Sequence, residues 1–141
     1  MQKRLKIVGG VALALFLGIQ LMPVDRSNPP VTADLDAPHE VKALLRAACY
    51  DCHSHETRWP WYSYVAPVSW LVAHDVEEAR TEMSFSEWGA LDPREQRELR
   101  REMWEKVEEG KMPLKKYVML HPGARLSEEQ KRLLRDWCHG M

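Results

Sequence analysis

A chain of 141 residues is enough for one compact domain. Its 20 lysines and arginines are balanced by 21 aspartates and glutamates, for a net charge of −1. The chain therefore lacks the basic surplus that accompanies nucleic-acid binding, and no nucleic-acid partner is expected.

Residues 1–24 predict a membrane anchor or a signal segment. Three basic residues lie within the first six positions and precede an apolar run from Ile7 to Met22, an order typical of export signals. The run is ~16 residues long, between the apolar core of a signal peptide and a spanning helix. Because no Ala-x-Ala site closes it, we expect an uncleaved anchor in the bacterial cytoplasmic membrane, with the rest of the chain in the periplasm. A soluble periplasmic protein after signal cleavage is the alternative.

Residues 25–38 are rich in proline and also contain aspartate, serine, asparagine and threonine. This composition favours an extended tether over a packed element. We expect it to connect the N-terminal segment to a domain formed by residues 39–141.

The domain sequence shows helical periodicity and no convincing alternation of the kind that strands show, which predicts an all-α fold. The last two of its helices begin with capping boxes, in which two side chains bond each other's backbone N–H groups. Four short helices are predicted: one capped by Asp36 and reaching Cys49, one opening at Pro67 with an apolar stripe to Met83, one from Asp92 to about Glu109, and one from Ser127 to just before Gly140.

The most informative motif is Cys-Tyr-Asp-Cys-His at residues 49–53, the attachment signature of c-type haem. The thiols of Cys49 and Cys52 can each add to one vinyl group of the porphyrin, and the imidazole of His53 can then bind the iron. A Cys-x-x-Cys pair alone also fits a redox dithiol or half a zinc site, but no second pair of zinc ligands has comparable spacing. The motif predicts one covalently attached haem c and its iron, with a redox dithiol as the alternative.

Met112 is the predicted sixth ligand of the iron. It follows the helix-ending Gly110 in Gly-Lys-Met-Pro, where Pro113 stiffens a loop that can hold a thioether against iron. A methionine that only fills a gap in the core is the competing interpretation. His74, on the second predicted helix, is the alternative axial ligand, although a histidine beside Asp75 is more often a hydrogen-bonded structural group.

Trp59, Trp61 and Tyr62 follow the motif closely and combine large rings with polar N–H or O–H groups. They could form a wall of the haem pocket and donate to the propionates, or they could pack in the core without such bonds. Cys138 is an odd third cysteine, which we interpret as a buried free thiol.

At these residues the chain resembles the bacterial haem-binding domain family, whose members have a cytochrome-c-like signature. The resemblance rests on Cys-Tyr-Asp-Cys-His-Ser at 49–54, Trp-Pro-Trp-Tyr at 59–62, Ala-Pro-Val-Ser-Trp at 66–70, and Lys-Met-Pro at 111–113. It implies an exported all-α domain with one c-type haem, bound here by Cys49, Cys52 and His53. Two positions depart from the family pattern: His55 stands where asparagine is usual, and Leu114 where a second proline often follows.

These observations predict a cytochrome-c-like bundle of about four short helices around one covalent haem, preceded by an N-terminal apolar helix. The expected function is transfer of single electrons between periplasmic or membrane redox proteins, without enzymatic activity. If Met112 is displaceable, open iron makes a haem peroxidase or a gas or redox sensor the alternative. A dithiol oxidoreductase without haem is the third possibility.

Overall fold

The computed structural model describes residues 1–140 and is entirely helical, with seven α-helices and no strand in that range. The prediction of an all-α fold is confirmed. The α-helices are α1 (Gln2–Ile19), α2 (His39–Ala48), α3 (Tyr50–His53), α4 (Val68–Glu82), α5 (Pro93–Glu108), α6 (Lys115–Leu120) and α7 (Glu128–Cys138). Three 3₁₀ segments connect them: Trp61–Tyr64, Phe85–Ala90 and Pro122–Ala124.

The prediction of a membrane anchor over residues 1–24 is wrong. Among residues 1–140, no helix has both the length and the apolar character that crossing a bilayer requires. α1 begins at Gln2 and so includes the basic head, and only Ile7–Ile19 of the apolar run is helical. That stretch is ~20 Å long at ~1.5 Å per residue, against ~30 Å of bilayer hydrocarbon. The localisation that depended on this anchor is not supported.

The segment between α1 and α2 runs along the domain without regular structure. Backbone N–H groups of Ala33 and Leu35 donate to the carbonyls of Ser86 and Phe85, at 3.0 and 2.8 Å. The Leu35 side chain is 1% exposed and belongs to the hydrophobic core. The Pro30 carbonyl lies 2.8 Å from Nδ1 of His55. This proline-rich segment is thus bonded to the domain along its length.

α5 and α7 pack against each other, α2 lies against α7, and α3 packs on α4. Their apolar faces enclose one core, to which Phe85 and Trp88 of the 3₁₀ segment also contribute. The fully buried side chains of this core include Leu35, Val41, Leu45, Phe85 and Leu134. The core therefore lies directly beneath the turn that carries the cysteine motif.

Local sequence signals predicted the starts of α5 and α7 correctly, but not that of α2. Asp92 and Ser127 each accept from the backbone N–H three residues on, as the predicted capping boxes require. Asp36 does not cap α2, which begins after Pro38. The helix ends at Cys49 as predicted, and residues 50–53 form a separate turn.

Candidate functional site

The four predicted haem ligands line one cavity of about 660 Å³. Cys49, Cys52 and His53 come from the turn after α2, and Met112 comes from the loop after α5. The volume is within the range of roughly 300–1,000 Å³ that cofactor sites occupy. Residues separated by about sixty positions in the chain thus face the same space.

Backbone hydrogen bonds shape the turn that presents the motif. The Cys49 N–H closes α2 on the Leu45 carbonyl at 2.8 Å, and the Cys49 carbonyl then accepts from the N–H groups of Cys52 and His53 at 3.1 and 2.9 Å. Tyr50, between the cysteines, is 2% exposed and stacks on Phe85 with ring centroids 4.8 Å apart. This anchor in the core leaves both cysteines and His53 on the wall of the cavity.

Two main-chain carbonyls of the α4 end orient His53. Its Nδ1 lies 3.0 Å from the Ala79 carbonyl and 3.2 Å from the Met83 carbonyl, so Nδ1 carries the proton and donates to them. Burial lowers the pKa of His53 by penalising the charged imidazolium, and the two carbonyls only partly oppose that effect. The imidazole is therefore neutral, with the lone pair of Nε2 available for a metal.

The two thiols of the motif lie in a low-polarity environment. Burial raises the pKa of Cys49 to about 12 and that of Cys52 to about 11. A catalytic dithiol needs the opposite shift, because the thiolate is the nucleophile. Within residues 1–140, no three His, Cys, Asp or Glu side chains form a group that could hold a metal ion, so a zinc site finds no support there.

Met112 lies in a tight turn at the end of α5. Gly110 adopts φ of +67°, and the N–H groups of Lys111 and Met112 both donate to the Lys106 carbonyl at 2.9 and 3.0 Å. The Met112 side chain is half-buried and packs against the core cluster. Met83 and Met103 line the same cavity, with Met103 buried on α5.

The aromatic residues after the motif do not reach this cavity. Trp61 is 79% exposed, and Trp59 is half-buried away from the cavity, with Nε1 enclosed and unpartnered. Tyr62 lines a smaller, adjoining cavity of about 240 Å³, which shares Cys52 and Tyr117 with the larger one. His74 points to solvent with a 70% exposed side chain, 4.0 Å from Glu78. Nearness in sequence to the motif did not bring these side chains to the site, because the chain turns away through Pro60.

Charged residues at the cavity edge were not among the predicted site residues. Lys106 and Lys111 line it beside Met112, and acidic side chains of α4 and α5 line it as well: Asp75, Glu78, Glu82 and Glu102. Their signal in the sequence was weak, since charges on helix surfaces are common. An apolar interior with imidazole, thiol and thioether donors and a charged edge fits haem, a planar apolar group with two carboxylates.

Comparison with known protein families matches residues 14–140 to the haem-binding domain. The matched region includes the motif at 49–53, the Met112 loop and every helix from α2 to α7. Comparisons with curated proteins and with solved structures found no match. The family match covers most of the chain and agrees with a cavity lined by imidazole, thiol and thioether groups. The chain belongs to the haem-binding domain family.

Proposed function

We propose that this protein is a monohaem, c-type cytochrome-like electron carrier, with haem bound covalently through Cys49 and Cys52. The observation that supports this most is the convergence of both thiols, the oriented His53 and the Met112 loop on one cavity. Within the proposal His53 and Met112 are the two axial ligands. The protein is then a carrier rather than an enzyme, and its partners are other redox proteins.

The residues of the chain have separate tasks in this proposal. His53 presents Nε2 to the iron because its Nδ1–H is held by the Ala79 and Met83 carbonyls. The Met112 thioether would hold the iron as a second ligand and limit access of other ligands, and a thioether ligand favours the reduced state. When bound, haem supplies an iron that gains or loses a single electron.

One observation favours a second function. The segment that follows Met112, including α6, buries none of its α-helical side chains. A sixth ligand carried by a loosely packed segment is displaceable. A haem-based peroxidase or a gas or redox sensor is therefore the alternative.

Absorption spectroscopy of protein purified from cells that contain the haem-attachment machinery separates these functions. For the carrier we expect a Met–iron charge-transfer band in the ferric state and no binding of carbon monoxide in the ferrous state. Met112→Ala should lose the band and bind carbon monoxide, whereas the matched control Met103→Leu, in the same cavity, should retain wild-type spectra. High-spin iron that binds carbon monoxide in the wild type would support the alternative.

Covalent attachment has its own test. The mass of the denatured chain should exceed that of the polypeptide by one haem, and Cys49→Ala together with Cys52→Ala should abolish the increase. A denatured wild-type chain at the unmodified mass would contradict the proposal.

A further inference from the structure

The segment that carries Met112 into α6 is attached to the domain by few apolar contacts. No side chain of α6 is buried, and Met119 and Leu120 are 79% and 61% exposed. The helix is six residues long, and its main packing is against the following turn, Pro122–Ala124. Apolar burial therefore does little to fix the position of this segment.

An apolar cavity separates α6 from α4. It has a volume of about 240 Å³, and Tyr117 and Leu120 line it from α6 while Leu71, Val72 and Val76 line it from α4. Side chains that face each other across such a space have no partner atoms at contact distance. The two helices are thus held together by something other than close packing.

Two polar contacts hold α6 in place, one to Asp51 of α3 and one to Asp75 of α4. The Tyr117 hydroxyl donates to Oδ2 of Asp51 at 2.8 Å, and Lys116 Nζ lies 2.7 Å from Oδ2 of Asp75. The lysine pair is exposed, with side chains 50% and 20% accessible, so solvent screens it. The Asp51 side chain is only 12% exposed and also accepts from Arg58 Nε at 3.1 Å. The Tyr117–Asp51 bond is the more buried of the two and is screened less by solvent.

Asp51 lies between Cys49 and Cys52, so this bond joins the Met112 segment directly to the haem motif. We propose that Tyr117 is a positioning residue that holds Met112 in its ligand position, an inference that depends on the proposed function. Without the bond, the segment from Leu114 to Leu120 is free to move away from α3, the Met112 side chain at its start loses this restraint, and the iron becomes accessible. The Tyr117–Asp51 contact thereby decides whether the protein behaves as a carrier or as an open haem protein.

Tyr117→Phe removes only the hydroxyl and leaves Asp51 paired with Arg58. In the haem-loaded protein we expect this variant to bind carbon monoxide at least about tenfold faster than wild type, with a weaker Met–iron band and a lower reduction potential. The matched control is Tyr62→Phe, since Tyr62 lines the same smaller cavity and its hydroxyl has no hydrogen bond within residues 1–140. Lys116→Gln should change the rate less than about twofold.

Met112→Ala, measured in parallel, separates the two proposals. If Met112→Ala binds carbon monoxide rapidly and Tyr117→Phe behaves like Tyr62→Phe, the positioning role is overturned while ligation by Met112 stands. If Met112→Ala binds it no faster than wild type, Met112 is not the ligand and both proposals fail. Thermal unfolding of all variants excludes a general loss of structure: equal melting temperatures for the two phenylalanine variants, with unequal rates, support the inference.

Discussion

The imidazole of His53 is oriented by main-chain atoms rather than by a side chain. Its Nδ1–H donates to the carbonyls of Ala79 and Met83 at the C-terminal end of α4, where the Ala79 carbonyl also accepts from the Met83 N–H at 3.0 Å. Substitution of the Ala79 or Met83 side chain leaves both acceptors in place. We therefore expect the orientation of His53 to tolerate sequence change at these positions better than a carboxylate partner would allow.

A count of the reactive cysteine thiols tests covalent haem attachment at the scale of single residues. With Cys49 and Cys52 joined to haem, Cys138 is the only free thiol among the three cysteines of the chain. Cys138 is 8% exposed, and burial raises its pKa to about 12. A thiol-specific reagent near pH 8 should therefore react with no group in native holoprotein and with one after denaturation.

Cys138→Ala provides the control for this titration, since its denatured form should show no thiol at all. Three reactive thiols in the denatured wild type would rule out covalent attachment. One reactive thiol in the native protein would instead contradict the burial of Cys138.

The sequence predicted the site residues of the motif because haem attachment requires a fixed spacing of Cys49, Cys52 and His53. The hydrogen-bond partners of His53 could not be predicted, because a main-chain carbonyl is present at every residue and carries no sequence signal. The position of Trp61 relative to the cavity could not be predicted for a related reason. Its distance from the motif along the chain is short, but its direction depends on the turn after Pro60.

The capping box at the start of α7 allows the contribution of one local interaction to stability to be measured. Ser127 accepts from the Gln130 N–H at 3.1 Å, and Gln130 accepts in return from the Ser127 N–H at 2.8 Å. Ser127→Ala should lower the free energy of unfolding by about 1 kcal/mol, because the Gln130 N–H in the first turn loses its side-chain acceptor. Urea denaturation measures the change. Glu129→Ala, in the same exposed turn, should change it by less than about 0.5 kcal/mol, and an equal loss in both variants would contradict the capping argument.

The contact between Asp34, which precedes α2, and Lys42 of α2 predicts that the free energy of unfolding depends on pH. Burial acts to raise the pKa of Asp34, but hydrogen bonds from Lys42 and Tyr50 and the charges of Lys42 and Arg46 outweigh it, so the pKa lies below its ordinary 3.8. A lowered pKa in the folded state stabilises the fold above pH 3.8, and this stabilisation is lost as the pH falls through the folded value. Asp34→Asn should therefore be less stable than wild type at pH 7.

The difference between Asp34→Asn and wild type should shrink when urea denaturation is repeated at decreasing pH below about 4. Asp36→Asn, at an exposed position two residues on, should match wild type at both ends of the range. A difference for Asp34→Asn that stays constant from pH 7 to pH 3 would show that the carboxylate itself is not responsible.

Elements that depend on local signals were predicted, and those that depend on distant contacts were not. The capping boxes of α5 and α7 lie within four residues, so the sequence shows them directly. α6 has six residues and no apolar periodicity, and its position depends on Asp51 and Asp75, which lie far away in the chain. No local sequence pattern indicates such a helix.

At the scale of the whole molecule, α1 and the segment after it differ in what they contribute. α1 has no buried side chain, whereas the segment around Leu35 belongs to the core. Proteolytic removal of residues 1–18 from the purified holoprotein, at an introduced cleavage site, should change the free energy of unfolding by less than about 1 kcal/mol. Denaturant titration before and after cleavage measures this change.

A cut that also removes residues up to 35 should be much more damaging. It takes away the Leu35 side chain, worth ~1.5–3 kcal/mol, together with the backbone bonds to Ser86 and Phe85. The proline-rich composition of 25–38 predicted a tether, and composition cannot reveal bonds to residues about fifty positions away. Equal stability after the two cuts would show that this segment is not part of the folded unit.

Consecutive residues of α4 bond His53 and the residue that follows it. The Ala79 carbonyl accepts from His53, and the guanidinium of Arg80 donates to the Ser54 carbonyl at 2.9 Å. Because each residue turns an α-helix by about 100°, inserting or deleting one residue between Val68 and Ala79 would rotate both groups away together. The length of this stretch of α4 is consequently constrained by the contacts that its end makes with His53 and Ser54.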